Sequence, residues 1–202
     1  MKFRLFGPSS LAMSAMLISM CGYAAAQAVP DNIQLVSADA NLIQRLDSKT
    51  AAQGEVITAK LTSSVKNGTS LDLPKGTLLI GKVEQVQTSK GNGPAKLSIV
   101  FDQARLSDGH AIPIKATLLA AYPANGGNSW DDTGTGGGLE ALQPHFISAD
   151  EKIDQEPGAL SHVAMHSSVQ ASESAVFLSA DRNIELPKGT QLQIAIAPTT
   201  NS

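Results

Sequence analysis

One phrase occurs twice in the chain. Leu71-Asp72-Leu73-Pro74-Lys75-Gly76-Thr77-Leu78-Leu79-Ile80 returns as Asn183-Ile184-Glu185-Leu186-Pro187-Lys188-Gly189-Thr190-Gln191-Leu192-Gln193-Ile194. Each copy reads as an extended approach, a Pro-Lys-Gly turn and a strand. Pro74 and Pro187 preset φ, and Gly76 and Gly189 supply the backbone freedom that the turn needs. These four are therefore structural turn residues. The same turn chemistry ahead of two strands predicts an all-β body.

The rest of the chain supports that class. Glu55 to Val65 alternates, with Ile57, Ala59 and Leu61 on one face and Thr58, Lys60 and Thr62 on the other. That is the two-residue period of a strand. Asn67-Gly68 is a hairpin turn pair, since both residues tolerate positive φ, and Thr69 to Leu73 leads back to the first proline turn. Leu78 to Thr88 is the next strand, and a bulge near Glu84-Gln85 restores its broken alternation. Lys96 to Leu106 follows, then a tight turn at Ser107-Asp108-Gly109-His110, then Ala111 to Ala121. Pro113 there suggests an edge position or the start of the strand. These four strands on short turns form a meander.

Before it, Val29 to Asp39 reads as an arm and Asn41 to Leu46 as a short strand. After it, Tyr122 to Ser161 carries Asn125-Gly126-Gly127-Asn128, Gly134-Thr135-Gly136-Gly137-Gly138 and the acidic stretch Asp150 to Glu156. No period persists there, and a loop of that length is usually functional or disordered. It reads as a flexible insertion over 122–161. Val163 to Val169 and Ser174 to Ser179 return to strand, and Gln191 to Ala197 closes the fold. The expected architecture is a single β-barrel or sandwich over 29–202, built from a meander, with a long Gly-rich loop before the last strands.

The first 28 residues read as a signal peptide. Lys2 and Arg4 make a positive start, Leu11 to Cys21 is largely apolar, and Ala24-Ala25-Ala26 and Ala26-Gln27-Ala28 are small-residue cleavage sites. Cys21 invites a lipoprotein reading, but Met20 stands where a small residue is wanted. Cleavage after Ala28 leaves a mature chain without cysteine, hence without a disulfide. Losing Lys2 and Arg4 takes the formal charge from −3 to −5. An acidic balance without a basic stripe argues against nucleic acid as a partner. No later apolar run has the length of a transmembrane helix. The expected location is the periplasm or cell envelope.

The motifs that suggest chemistry do not assemble. His162 and His166 are four apart, but Ser167, Ser168 and Val169 are mediocre helix formers, and no zinc-protease Glu follows His162. Asp150, Glu151, Asp154 and Glu156 lack the spacing of a calcium loop. Ser63-Ser64-Val65-Lys66 spells S-x-x-K without the companion elements that serine acyl-transfer enzymes need. Asn67-Gly68-Thr69 also matches the N-glycosylation pattern, but the turn accounts for the same residues. No catalytic residue, cofactor or metal is expected, and the protein is expected not to be an enzyme. Trp130, beside Asn128 and Asp131-Asp132, is a candidate ligand contact. With aromatics at only 4% of residues, stacking platforms are few.

Several segments in order carry a family resemblance. They are Gly54 to Leu61, then Leu73-Pro74-Lys75-Gly76-Thr77-Leu78-Leu79-Ile80-Gly81, then Ala95 to Asp102, Leu106 to Ile114, and the closing Ile184 to Ala197. Over about 54–120 and 184–197 the chain resembles the C-terminal β-barrel domain of the TrbI-like family, scaffold components of type IV secretion systems. The resemblance implies a barrel fold, an envelope location and work by contact between subunits, with no catalytic residues to carry over. The chain departs from that family in its cleavable signal, in lacking an inner-membrane helix, and in a 122–161 segment too polar to span a membrane. The expectation is an exported, non-enzymatic envelope scaffold or interaction module. Its partners are envelope proteins or further copies of itself, met through strand edges. The alternative is a periplasmic glycan or small-molecule binding module that uses the 122–161 loop.

Overall fold

Alternating small and branched apolar residues build thirteen strands in the computed structural model, which describes residues 35–67, 71–91, 93–124 and 152–199. They are β1 (Val36–Leu42), β2 (Leu46–Asp47), β3 (Val56–Leu61), β4 (Val65–Asn67), β5 (Leu71–Leu73), β6 (Leu78–Gln87) and β7 (Ala95–Arg105). Then come β8 (Ala111–Tyr122), β9 (Lys152–Leu160), β10 (Val163–Ser168), β11 (Ala175–Ser179), β12 (Glu185–Leu186) and β13 (Gln191–Pro198). No helix occurs among the described residues.

β1, β3, β6, β7, β8 and β13 close in that order into a six-stranded antiparallel barrel. β13 is the closing strand, paired with β1 on one side and β8 on the other. The meander expected from the sequence is present as β3–β6–β7–β8. The ladder between β6 and β7 slips between Val83 and Gln85, which places the expected bulge at Glu84. The interior is filled by side chains, as a small barrel requires. Leu79, Leu97, Phe101, Leu118, Phe177, Leu192 and Ile194 all lie fully buried in one cluster. A second, smaller cluster of Leu35, Val169, Ala195 and Ala197 forms apart from it.

Four of the six barrel strands follow one repeated plan. Leu42 ends β1, and Leu46, four residues on, begins β2. Leu61 ends β3, and Val65, four residues on, begins β4. Leu46 pairs with Leu186 just before one proline turn, and Val65 pairs with Leu73 just before the other. The return strands then pair with the starting strands in the same register, Ala40 with Leu192 and Ala59 with Leu79. β1 and β3 lie antiparallel, Ala40 facing Leu61 and Leu42 facing Ala59. Reciprocal bonds flank them, Ile43 N–H donating to Thr58 O and Thr62 N–H to Asp39 O. The two strand–short strand–turn–strand units are thus related by a pseudo-twofold axis through the β1–β3 contact. In one unit the short strands are joined by 68–70. In the other, the chain from Ser48 to Ile184 lies between them.

Three expectations are corrected. The arm over Val29 to Asp39 and the strand over Asn41 to Leu46 give way to β1 at Val36–Leu42 and the separate pair Leu46–Asp47. The single strand over Glu55 to Val65 is divided after Leu61. There the Leu61 carbonyl turns to accept from Gly76 N–H, and the chain leaves the barrel wall. The insertion over 122–161 begins on the last residue of β8 and ends in a strand, β9, which tolerates Pro157 and charge because it is the sheet's terminal strand.

Candidate interaction surface

The two Pro-Lys-Gly-Thr turns adopt one geometry. Gly76 has φ +92° and Gly189 φ +88°, left-handed values that favour glycine. Thr77 N–H donates to Pro74 O at 3.1 Å and Thr190 N–H to Pro187 O at 3.0 Å, closing each turn. Each threonine hydroxyl adds a second bond to the same proline carbonyl, at 2.7 Å in both copies. Gly76 N–H then donates to Leu61 O, and Gly189 N–H to Leu42 O. The turns lock return strands onto starting strands, which is a structural role. Asn67 ends β4 opposite Leu71, so the hairpin is present, while Gly68 lies outside the described residues.

The edges of the sheet are set by how β7 and β8 part. Their ladder runs only from Arg105–Ala111 to Gln103–Pro113. Beyond Pro113, β8 follows β13, and the other half of β7 is taken by β11 over Ala175–Ser179. β10 and β9 continue the sheet beyond β11, so β9 is its terminal strand. Where β8 passes this extension it meets no strand ladder. Leu118 N–H donates to Ser174 O, the Ser167 hydroxyl donates to Leu118 O, and the Gln155 carboxamide bonds to both Ala121 N–H and Ala121 O.

The outer face of the extension carries the histidines. His162 and His166 stand on a strand and its turn, not a helix, so they lie about 13 Å apart along the chain. Each has its own carboxylate: His166 Nδ1 lies 2.5 Å from Asp154, and His162 Nδ1 lies 3.9 Å from Asp181. His162 has φ +61° in the two-residue connection between β9 and β10. Arg182 bonds the other oxygen of Asp181. That bond, with the Arg182 and His162 charges, holds the Asp181 carboxyl below its ordinary value. No group of three or more metal-ligating side chains occurs among the described residues. The S-x-x-K residues are likewise dispersed, Ser63 Oγ accepting from Asp39 N–H while Lys66 pairs with Asp72.

Beside His162 runs an open groove of about 470 Å³, walled by Pro94, Ala95, Ala164, Leu178 and Ala180 and rimmed by Asp181. The imidazole of His162 is the one aromatic ring among the residues that line it, with no Phe, Tyr or Trp. Trp130, Asp131-Asp132, Asp150 and Glu151 lie outside the described residues. Sequence reasoning missed Gln155 and Ser167 altogether. No motif marks them, because their partners are backbone groups of a strand distant in sequence.

No family model matches the chain, and no curated protein matches it. Among solved structures it is similar to ComB10 of the Com type IV secretion system of Helicobacter pylori. The identity is 12%, over 84% of this chain and 89% of that chain, with a TM-score of 0.37. No described helix is long and apolar enough to cross a membrane.

Proposed function

We propose that this chain is an exported, non-enzymatic β-barrel module that serves as a scaffold or interaction protein of the cell envelope. The observation that carries the reading is the sheet that continues past the six barrel strands. Where β7 and β8 stay paired the barrel wall has no edge, but beyond Pro113 they part, and β11, β10 and β9 continue the sheet from β7 to a terminal strand. Unpaired backbone groups on such an edge accept a strand from another chain. The ordered resemblance of residues 54–120 and 184–197 to a secretion-scaffold barrel supports the same reading, and the signal-like first 28 residues support export.

The test is cross-linking in intact envelopes followed by light scattering of the chain from Val29. Ring-sized or partner-bound species, with cross-links on the β9–β11 extension, are expected. A chain that stays monomeric and captures no envelope protein would overturn the reading.

A further inference from the structure

We propose that the β8 edge beyond Pro113 is a strand-acceptor site held closed by the side chain of Gln155. It would take an extended segment of a partner polypeptide, added antiparallel to β8. This rests on the reading of the chain as an interaction module and names the edge and the kind of partner.

The argument starts from what a strand edge requires. Every buried backbone N–H and C=O needs a partner. Ala121 is fully buried, and both of its groups on this side are satisfied by one side chain. Its N–H donates to Gln155 Oε1 at 2.9 Å, and Gln155 Nε2 donates to its carbonyl at 3.1 Å. A carboxamide is chemically a peptide group. Exchanging both bonds with a single residue is the hydrogen-bonded pair of an antiparallel ladder. Three residues earlier, across the bulge that leaves Leu119 without a partner on β13, Leu118 is served in a similar way by the Ser174 carbonyl and the Ser167 hydroxyl. The edge is thus covered by groups that imitate a neighbouring strand.

Two further features fit an exchangeable cover. Gln155 stands on β9, which is joined to the sheet through β10 alone and whose pairing slips between Val163 and Met165. A terminal strand is the cheapest element to open locally. From Ala116 to Tyr122 the edge is also uncharged. An incoming strand therefore meets no charge to desolvate, and its own uncharged residues belong opposite this stretch.

The experiment reads backbone amide exchange in the full chain and in Gln155→Ala, with and without a capped peptide of the β13 sequence, Gln191 to Pro198. That strand is one β8 already accepts on its other edge. Ala121 is expected to exchange about tenfold faster in the variant, the size set by losing an ordinary hydrogen bond. Added peptide is expected to restore its protection, while binding to the unaltered chain is at least about tenfold weaker. If Gln155→Ala fails to fold, Gln155→Asn, one methylene shorter, gives the same readout.

Equal exchange at Ala121 in chain and variant would overturn the clasp. A freed amide that saturating peptide leaves unprotected would overturn the acceptor site. Envelope partners captured with no cross-link to β8 would sink this inference and leave the proposed function standing. Peptide capture by the variant, with no envelope partner for the native chain, would do the reverse.

Discussion

The two units that end in Pro-Lys-Gly-Thr share one backbone plan but fill it differently. At matching register positions, Ala38 faces Ile194 in the β1–β13 unit, and Ile57 faces Gly81 in the β3–β6 unit. All lie in the interior, Ala38 at 4% exposure and both isoleucines at 0%. The large and small partners have changed places, so each pair occupies a similar space. Turn, register and threonine bonds are kept, while side-chain volume is free to move across the ladder. Backbone hydrogen bonding specifies position here, and packing needs only the right total volume at native density.

The largest test of that comparison is Ile194→Ala. It leaves two alanines facing each other and a void between them. The expected cost is about 2–5 kcal/mol by denaturant unfolding, the range for a buried isoleucine cut to alanine. A loss under about 1 kcal/mol would mean that the site collapses around the void and that volume is not what the pair conserves.

Gly81→Ala comes next. Its new Cβ would sit 1.9 Å from the Val100 carbonyl oxygen, so the β6 and β7 backbones must separate. A loss at the top of the usual 1–3 kcal/mol for overpacking is expected. The double variant with Ile57→Ala sharpens this. Space freed across the ladder does not relieve a clash with the neighbouring backbone, so no rescue is expected. Rescue would show that Gly81 is there to balance Ile57 rather than to let two strands approach.

A smaller difference separates the turns. Both glycines have left-handed φ, and alanine at either costs roughly 1–2 kcal/mol. At Gly189 the added Cβ also meets Ala124 Cβ at 3.2 Å, whereas at Gly76 the nearest contact is the flexible Lys60 stem at 3.7 Å. Gly189→Ala is therefore expected to lower the melting temperature more than Gly76→Ala. Equal losses would show that conformation alone sets the cost.

The smallest effects belong to the ion pairs that cross the short strands. Arg45 reaches both Asp47 and Glu185, while Lys66 reaches Asp72. All but Asp47 are well exposed, so Arg45→Ala and Lys66→Ala should each cost under about 1 kcal/mol, and less in high salt. Arg45 should cost the more, because it joins two carboxylates.

Much of this plan was legible in the residues themselves. The turns announce themselves through Pro and Gly, and the bulge at Glu84 shows as a broken alternation. The meander follows from strands separated by short polar turns. What escaped had weak or contrary chemistry. In β1 the inward residues are Ala38, Ala40 and Leu42, and two alanines carry little periodic signal. In β9, Pro157 and several charges read as loop, because only its terminal place in the sheet makes them tolerable. The split after Leu61 depends on a bond to Gly76 that no local pattern reveals. The cover over β8 is hidden for the same reason: Gln155 and Ser167 act on backbone groups, which have no sequence of their own.

The closing role of β13 has a consequence in time. Val36 finds its partner at Ile196, so the first ladder of the barrel joins its first and last strands. Contacts that distant form slowly, since the loop between them must be closed before they contribute. During synthesis β3, β6, β7 and β8 can pair as each emerges, yet β1 and β8 wait with bare edges for β13. A chain halted before residue 191 would be a curled, open sheet. In that interval its greatest hazard is a premature neighbour rather than slow folding.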